Sequence, residues 1–324
     1  MDTLHPTPTA PDEVRGAPAT RGATVRRLCY LGPEGTFTEL ALRALPEHTD
    51  ARLVPVRSAD EAVAAVTKGA AAAAMLPLEN SVSGLVGATL QALAPLPGLT
   101  IEREVHLAIA FCLLVRPGTT AERIGTVAGH PHAFPQVRDW LATHLPHAHR
   151  VPVSSNAAGA HQVALGHWDA ALAPRTAAAH YGLLPLASGI RDDATATTRF
   201  VLVSGPTRDR RGGGTRPRPR STRTSLLGCV PGHLPRVRAR IDDALRTAGV
   251  DVPQHRVGVV PGLPARPAAV LIDLGGHLDD APVRLVARHL RLCIPELRAL
   301  GSYPTGTPIA PPPTATPADE GLPH

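Results

Sequence analysis

Between Gly205 and Arg223 the chain carries Gly212-Gly213-Gly214 and then alternating arginine and proline, with almost nothing apolar. Such a stretch cannot bury enough apolar surface to offset the entropy of ordering it, and it reads as a mobile, extended linker. It cuts the sequence into two folding units, 26–205 and 224–304, with 206–223 between them. The length of 324 residues suffices for two domains. Residues 1–25, rich in Pro, Thr and Ala, read as a disordered leader, and 305–324 as a Pro-rich disordered tail.

The same linker accounts for the charge. Arg208, Arg210, Arg211, Arg216, Arg218, Arg220 and Arg223 face one acid, Asp209, a surplus equal to the net charge of +6 of the whole chain. The rest is close to neutral. A folded nucleic-acid binder carries its basic patch on the folded surface, so no nucleic-acid partner is expected.

Hydrophobic residues make up 43% of the chain and mean hydropathy is near zero, as in a soluble globular protein. With only 3% aromatics, the cores must be built from Ala, Val and Leu. Cys29, Cys112, Cys229 and Cys293 form no Cys-x-x-Cys pair, and each sits in an apolar stretch. Buried free thiols in a reducing cytoplasm are the expectation. Met1 to Thr24 has no apolar core of signal-peptide type, and the longest apolar run, Gly69 to Leu78, is too short to span a bilayer. No membrane association is expected.

From Arg27 to Gly205 short apolar runs alternate with helical patterns, which argues an α/β domain. Strands are expected at 28–31, 52–56, 71–76 (ending at Pro77), 151–153, 169–173 and 200–203, with a long strand or strand pair over 101–115. Helices are expected at 36–45, 59–68 (capped by Ser58), 81–93, 137–144, 157–165 and 175–181. The second unit reads β(225–230), α(234–247), β(254–260), β(268–274), α(280–292), β(297–300), a ferredoxin-like βαββαβ order.

Four punctuated segments stand in fixed order in the first unit. They are Tyr30-Leu31-Gly32-Pro33-Glu34-Gly35-Thr36-Phe37, Pro77-Leu78-Glu79-Asn80-Ser81, Gly129-His130-Pro131 followed by Gln136, and Thr198-Arg199-Phe200. Together they resemble the prephenate dehydratases. The resemblance covers most of residues 28–304. It implies a two-lobed catalytic domain similar to periplasmic ligand-binding proteins, followed by an ACT regulatory domain whose closing Leu300-Gly301-Ser302-Tyr303-Pro304 fits that family. It implies prephenate as substrate and phenylpyruvate, water and CO2 as products, and it calls for no metal or organic cofactor. L-phenylalanine as effector and a homodimer or homotetramer are further implications.

On that resemblance Thr198 and Arg199 are the catalytic candidates. Arg199 is expected to dock a carboxylate in bidentate fashion, and Thr198 to donate a hydrogen bond to the departing hydroxyl. Phe200 is expected to pack the strand beside the substrate. Gly35-Thr36 and Asn80-Ser81 each follow a strand and are read as opening a helix, whose free N–H groups bind anions. Their spacing fits plain N-capping equally well. Gln136 is expected to hydrogen-bond the substrate, and Glu79 to orient Asn80 or to act as a hydrogen-bond acceptor. His130 beside Pro131 reads as a loop residue.

The chain departs from the family's pattern at Thr195-Ala196-Thr197, where an Asn is common, and at Gly129, where Ser is common. The family's effector turns, Gly-Ala-Leu and Glu-Ser-Arg-Pro, are here Gly232-His233-Leu234 and Gln254-His255-Arg256-Val257. A prephenate decarboxylase that leaves the ring hydroxyl in place, and a non-catalytic sensor on the same lobes, are the competing readings.

Overall fold

The computed structural model describes residues 25–206, 221–230, 234–247, 256–260, 268–294, 296–306 and 308–310. The expected sites at Gly232, His233 and Gln254 lie outside the described residues, as do most of the leader, the linker and the tail.

The first lobe is built on three parallel strands, β1 (Arg26–Leu31), β2 (Ala51–Val56) and β3 (Ala73–Asn80). Helices α1 (Phe37–Arg43) and α2 (Ala59–Thr67) connect them. Both start on a hydroxyl cap: Thr36 accepts from the Glu39 N–H and Ser58 from the Glu61 N–H. A short strand β4 (Gly84–Leu85), helix α3 (Gly87–Leu93) and the long strand β5 (Thr100–Ala108) follow.

The chain then crosses into a second lobe. Its elements are β6 (Phe111–Val115), β7 (Thr126–Gly129), α4 (Arg138–His144), β8 (His149–Pro152), α5 (Asn156–Ala164), β9 (Ala170–Ala173), α6 (Arg175–Tyr181) and β10 (Leu184–Ile190). It returns through β11 (Thr197–Ser204), which inserts antiparallel between β3 and β5. Two sheets joined by two crossings give the two-lobed arrangement of periplasmic ligand-binding proteins.

The second unit runs β12 (Thr222–Val230), α7 (Leu234–Thr247), β13 (Arg256–Val260), β14 (Ala268–Gly275), α8 (Ala281–Cys293), β15 (Arg298–Pro304). Its sheet order β13-β14-β12-β15 is the ferredoxin-like one. One face of this sheet joins the first lobe: Leu227, Ala269, Leu271, Leu300 and Tyr303 share a core with Leu76, Leu78, Val201 and Val203. The fit is close enough that a Cβ on Gly301 would lie 2.8 Å from the Ile101 carbonyl oxygen.

Several expectations are corrected. Residues 81–86 are not helical: Asn80 Oδ1 accepts from the N–H groups of Val82 and Ser83, and this turn leads into β4 before α3 begins at Gly87. β3 does not stop at Pro77 but runs on to Asn80. Proline has no N–H to give a ladder, and the β3–β11 register slips there: Phe200 faces Pro77, Arg199 faces Glu79, and Leu78 is the extra residue. Over 101–115, of the two forms expected, the strand pair is the one present. The tail begins with order, since β16 (Pro308–Ile309) pairs with β5. Cys29 and Cys112 are buried, while Cys229 and Cys293 are half-buried.

Candidate active site

The two lobe crossings touch each other. Ile109, between β5 and β6, donates its N–H to the carbonyl of Ala196, between β10 and β11, at 2.8 Å. Beside this contact opens a cleft of about 450 Å3 lined from both lobes. Phe37, Phe111 and Phe200, three of the four phenylalanines in the chain, line it. Phe37 and Phe111 meet edge to face with ring centroids 5.4 Å apart.

The polar lining is Thr36, Thr38, Asn80, Ser83 and Thr198 from the first lobe, and His130, His132, Gln136, Ser154, Ser155 and Asn156 from the second. None of the described residues lining the cleft is Asp, Glu, Lys or Arg.

The polarity of one hydrogen bond is fixed by chemistry. Asn80 Oδ1 accepts from the Val82 N–H, the Ser83 N–H and the Ser83 hydroxyl, so its amide nitrogen points the other way. That nitrogen lies 2.9 Å from Thr198 Oγ1. An amide NH2 only donates, so the Thr198 oxygen accepts and its own proton is left for a group in the cleft. Thr198 is 7% exposed, enough for a ligand and little else.

In the second lobe, α5 starts at the cleft with Ser155 as its cap. Asn156 Oδ1 accepts the His130 N–H at 2.8 Å and fixes that loop. His130 Nδ1 accepts from the His132 N–H, and burial, with His132 nearby, lowers its pKa from the ordinary histidine value. Gln136 donates through Nε2 to the His132 carbonyl at 2.7 Å, leaving its buried Oε1 without a partner among the described residues. This orphan acceptor suits a donor on a ligand.

Residues 28–208 match the family model described as prephenate dehydratase. The chain belongs to the prephenate dehydratase family. A curated prephenate dehydratase from Mycolicibacterium vanbaalenii is 42% identical over 310 residues, covering 88% of this chain and 94% of that one. A solved structure described as prephenate dehydratase in complex with L-Phe, from Arthrobacter aurescens, is 35% identical with a TM-score of 0.74, covering 89% of this chain and 93% of that one. Another, described as GqqA, a novel type of quorum quenching acylase, is 28% identical with a TM-score of 0.67, covering 87% and 98%. The activity is that of a prephenate dehydratase, an enzyme that makes phenylpyruvate from prephenate.

Not every residue of the motifs reaches the prephenate dehydratase cleft. Thr36, Asn80, Gln136, Thr198 and Phe200 line it, whereas Gly35, Ser81 and Arg199 do not. Gly35 has φ +82° and donates its N–H to Glu39 Oε2 at 2.7 Å, so that N–H is already used. It packs against α6, where a Cβ would come within 2.8 Å of Ala177 Cα. Ser81 ties the crossing: its Oγ accepts the Thr197 N–H and its N–H meets the Thr197 carbonyl.

Arg199 is the largest departure from expectation. Side chains alternate along a strand, so Thr198 and Phe200 face the cleft and Arg199 faces away. Glu79 and Asn80 alternate in the same way, so Glu79 pairs with Arg199 in register rather than orienting Asn80. The Arg199 side chain is 3% exposed and ion-paired to Asp273 Oδ2 through Nη1. Its Nη2 donates to the Tyr303 hydroxyl at 2.7 Å, and its Nε lies 2.8 Å from Glu104 Oε2 without hydrogen-bond alignment. Burial works against its charge, yet Tyr303, Asp273 and Glu104 hold it protonated more firmly than usual. Arg256, expected in an effector turn, lies in β13 and reaches Glu79 Oε1 at 2.6 Å.

His132 and the Ser154–Asn156 helix start were not expected at the site. The signal was present, because 153–156 repeats the strand, hydroxyl cap and helix order seen at Thr36.

Proposed function

We propose that Thr198 is the group that assists the departing hydroxyl of prephenate, and that Asn80 holds it in place. As the ring carboxylate leaves as CO2, its bonding pair enters the ring and expels the hydroxyl at the opposite carbon. That oxygen gains negative charge and takes up a proton to leave as water. A hydroxyl pKa is far from neutral, so the Thr198 proton serves as a hydrogen bond to the developing charge, and solvent supplies the proton overall. The observation that carries this reading is the Asn80–Thr198 bond, whose direction leaves the Thr198 proton free.

The charge-poor lining supports the same reading. A carboxylate against Phe37, Phe111 and Phe200 has no Lys or Arg among the described lining residues to hold its charge, which favours its loss as neutral CO2. The pyruvyl carboxylate is assigned to the start of α5, beside Ser155 and Asn156, at first-turn N–H groups other than that of Ala158, which Ser155 Oγ accepts. The Gln136 Oε1 accepts from the ring hydroxyl.

The unit 224–304 is assigned to regulation, with L-phenylalanine as effector. The support is the ferredoxin-like order together with the L-Phe complex of the Arthrobacter aurescens relative. A homodimer or homotetramer in the cytoplasm completes the reading. Leu285 and Leu292, seven residues apart on α8 and exposed, suit a self-associating face, and no helix among the described residues is long and apolar enough to cross a membrane.

The test is direct turnover of prephenate, read as phenylpyruvate absorbance in alkali, with and without L-phenylalanine. A product that keeps the ring hydroxyl would assign the decarboxylase instead, and binding without turnover the sensor.

A further inference from the structure

We infer that Arg199 is a positioning residue: it pins β11, and through it the Thr198 hydroxyl, to the ferredoxin-like unit, rather than touching substrate. The inference rests on the reading of Thr198 given above. Its partners lie on three different strands of that unit, Ser225 on β12, Asp273 on β14 and Tyr303 on β15. On the catalytic side it faces Glu104 of β5.

The guanidinium has no free side to offer a ligand. Nη1 is taken by Asp273, Nη2 by Tyr303 at 2.7 Å with Ser225 and Asp273 Oδ1 at 3.4 Å, and Nε faces Glu104. The surrounding charges balance. Arg199, Arg223 and Arg256 meet Glu79, Glu104 and Asp273, with Arg223 Nε 3.3 Å from Glu104 and Nη1 3.5 Å from Asp273. Removing one partner of such a set leaves a buried charge uncompensated, which is costly.

Place matters as much as charge. The register slip between β11 and β3 falls between Arg199 and Phe200, next to Thr198. A one-residue slip in a strand turns every side chain to the other face. A cluster that fixes Arg199 therefore fixes which face Thr198 presents. The unit also backs the cleft wall directly: a Cβ on Gly258 of β13 would come within 2.2 Å of Leu85 Cδ1, and Val260 packs against Gly87. Leu85 and Gly87 both line the cleft. Movement of the ferredoxin-like sheet thus reaches Thr198 across one residue and the cleft lining at Leu85 and Gly87 across one contact.

The experiment uses Arg199→Lys, Asp273→Asn and the mild Tyr303→Phe, which removes one hydrogen bond and no charge. Two readouts are taken on the full chain: kcat and KM for prephenate, and backbone hydrogen exchange of segments 195–204 and 77–86. We expect Asp273→Asn to lower kcat between about 10- and 100-fold, as small misplacements of a catalytic group do, with KM changed by less than about threefold. Tyr303→Phe should do the same more weakly, and Arg199→Lys with Asp273→Asn should cost less than the product of the single effects. Exchange should rise in both segments and stay unchanged in the second lobe. The inference is overturned if Arg199→Lys raises KM more than about tenfold, the signature of a lost substrate contact, while Asp273→Asn and Tyr303→Phe leave kinetics and exchange at wild-type values. If the wild-type protein does not turn over prephenate, the Thr198 reading fails and exchange alone decides: raised exchange in 195–204 keeps the positioning role, and unchanged exchange ends it.

Discussion

Asn80 and Thr198 face each other in register on neighbouring antiparallel strands, and the amide of one donates to the hydroxyl of the other at 2.9 Å. The direction of that bond is set by the turn that follows β3, whose donors occupy Asn80 Oδ1. The protein therefore delivers a threonine whose proton is available at a phenylalanine-lined position with no Asp, Glu, Lys or Arg among the described lining residues.

Reversing this bond is a sharp test. In Asn80→Asp both terminal atoms accept, so Thr198 gives its proton to the carboxylate instead of to substrate. We expect kcat to fall by at least about 100-fold, comparable to loss of an oxyanion donor. Asn80→Ala leaves Thr198 free to rotate and should lose less, about tenfold. Combining either with Thr198→Val should add little, because the two residues act as one unit.

The four motifs were legible as a family pattern, and Thr36, Asn80, Gln136, Thr198 and Phe200 line one cleft. Arg199 was misplaced because it was read as a charge near an anion. The two-residue period of a strand already forbids adjacent Thr198 and Arg199 from lining the same cleft. The first half of the helix expected over 81–93 is not formed for a local reason: Val82, Leu85 and Val86 have helical spacing, but Asn80 captures the N–H groups of Val82 and Ser83 and Gly84 takes φ +78°, so the helix begins only at Gly87. His132 and Ser155 enter from the other lobe: the strand, hydroxyl cap and helix order at 153–156 marks a helix start, but only the tertiary fold places it beside Thr198. The buried partners Asp273 and Tyr303 are hidden for the same reason, lying 74 and 104 residues from Arg199.

Gly35→Ala should destabilise without altering the cleft chemistry. Gly35 holds φ +82°, which costs a non-glycine residue about 1–3 kcal/mol, and the new Cβ would also press on Ala177 of α6. Gly118 has φ +82° with nothing within 4 Å of an added Cβ. Gly118→Ala is thus the control: it should lose the conformational part alone, and denaturant midpoints should rank wild type, Gly118→Ala, Gly35→Ala.

Acid should weaken the joint between the two units. Burial alone would raise the Glu104 carboxyl, but the His106 hydrogen bond and the Arg199 and Arg223 charges outweigh it and hold it at about 2. A carboxyl depressed in the folded state contributes stability that is fully present above its unfolded pKa, about 4.3. That contribution is lost as pH falls from there toward 2. Urea midpoints should therefore drop between pH 4.5 and 2. Glu104→Gln should be less stable at pH 7 and flatter across that window.

The most direct measurement is kcat and prephenate Kd for wild type, Thr198→Val and Thr198→Ser. Valine keeps the shape and removes the hydroxyl, and serine restores it. The account predicts that Thr198→Val loses at least about 100-fold in kcat while binding prephenate within about threefold of wild type, and that Thr198→Ser regains most of the loss. Wild-type turnover in Thr198→Val would contradict it and move the chemistry to another group in the cleft.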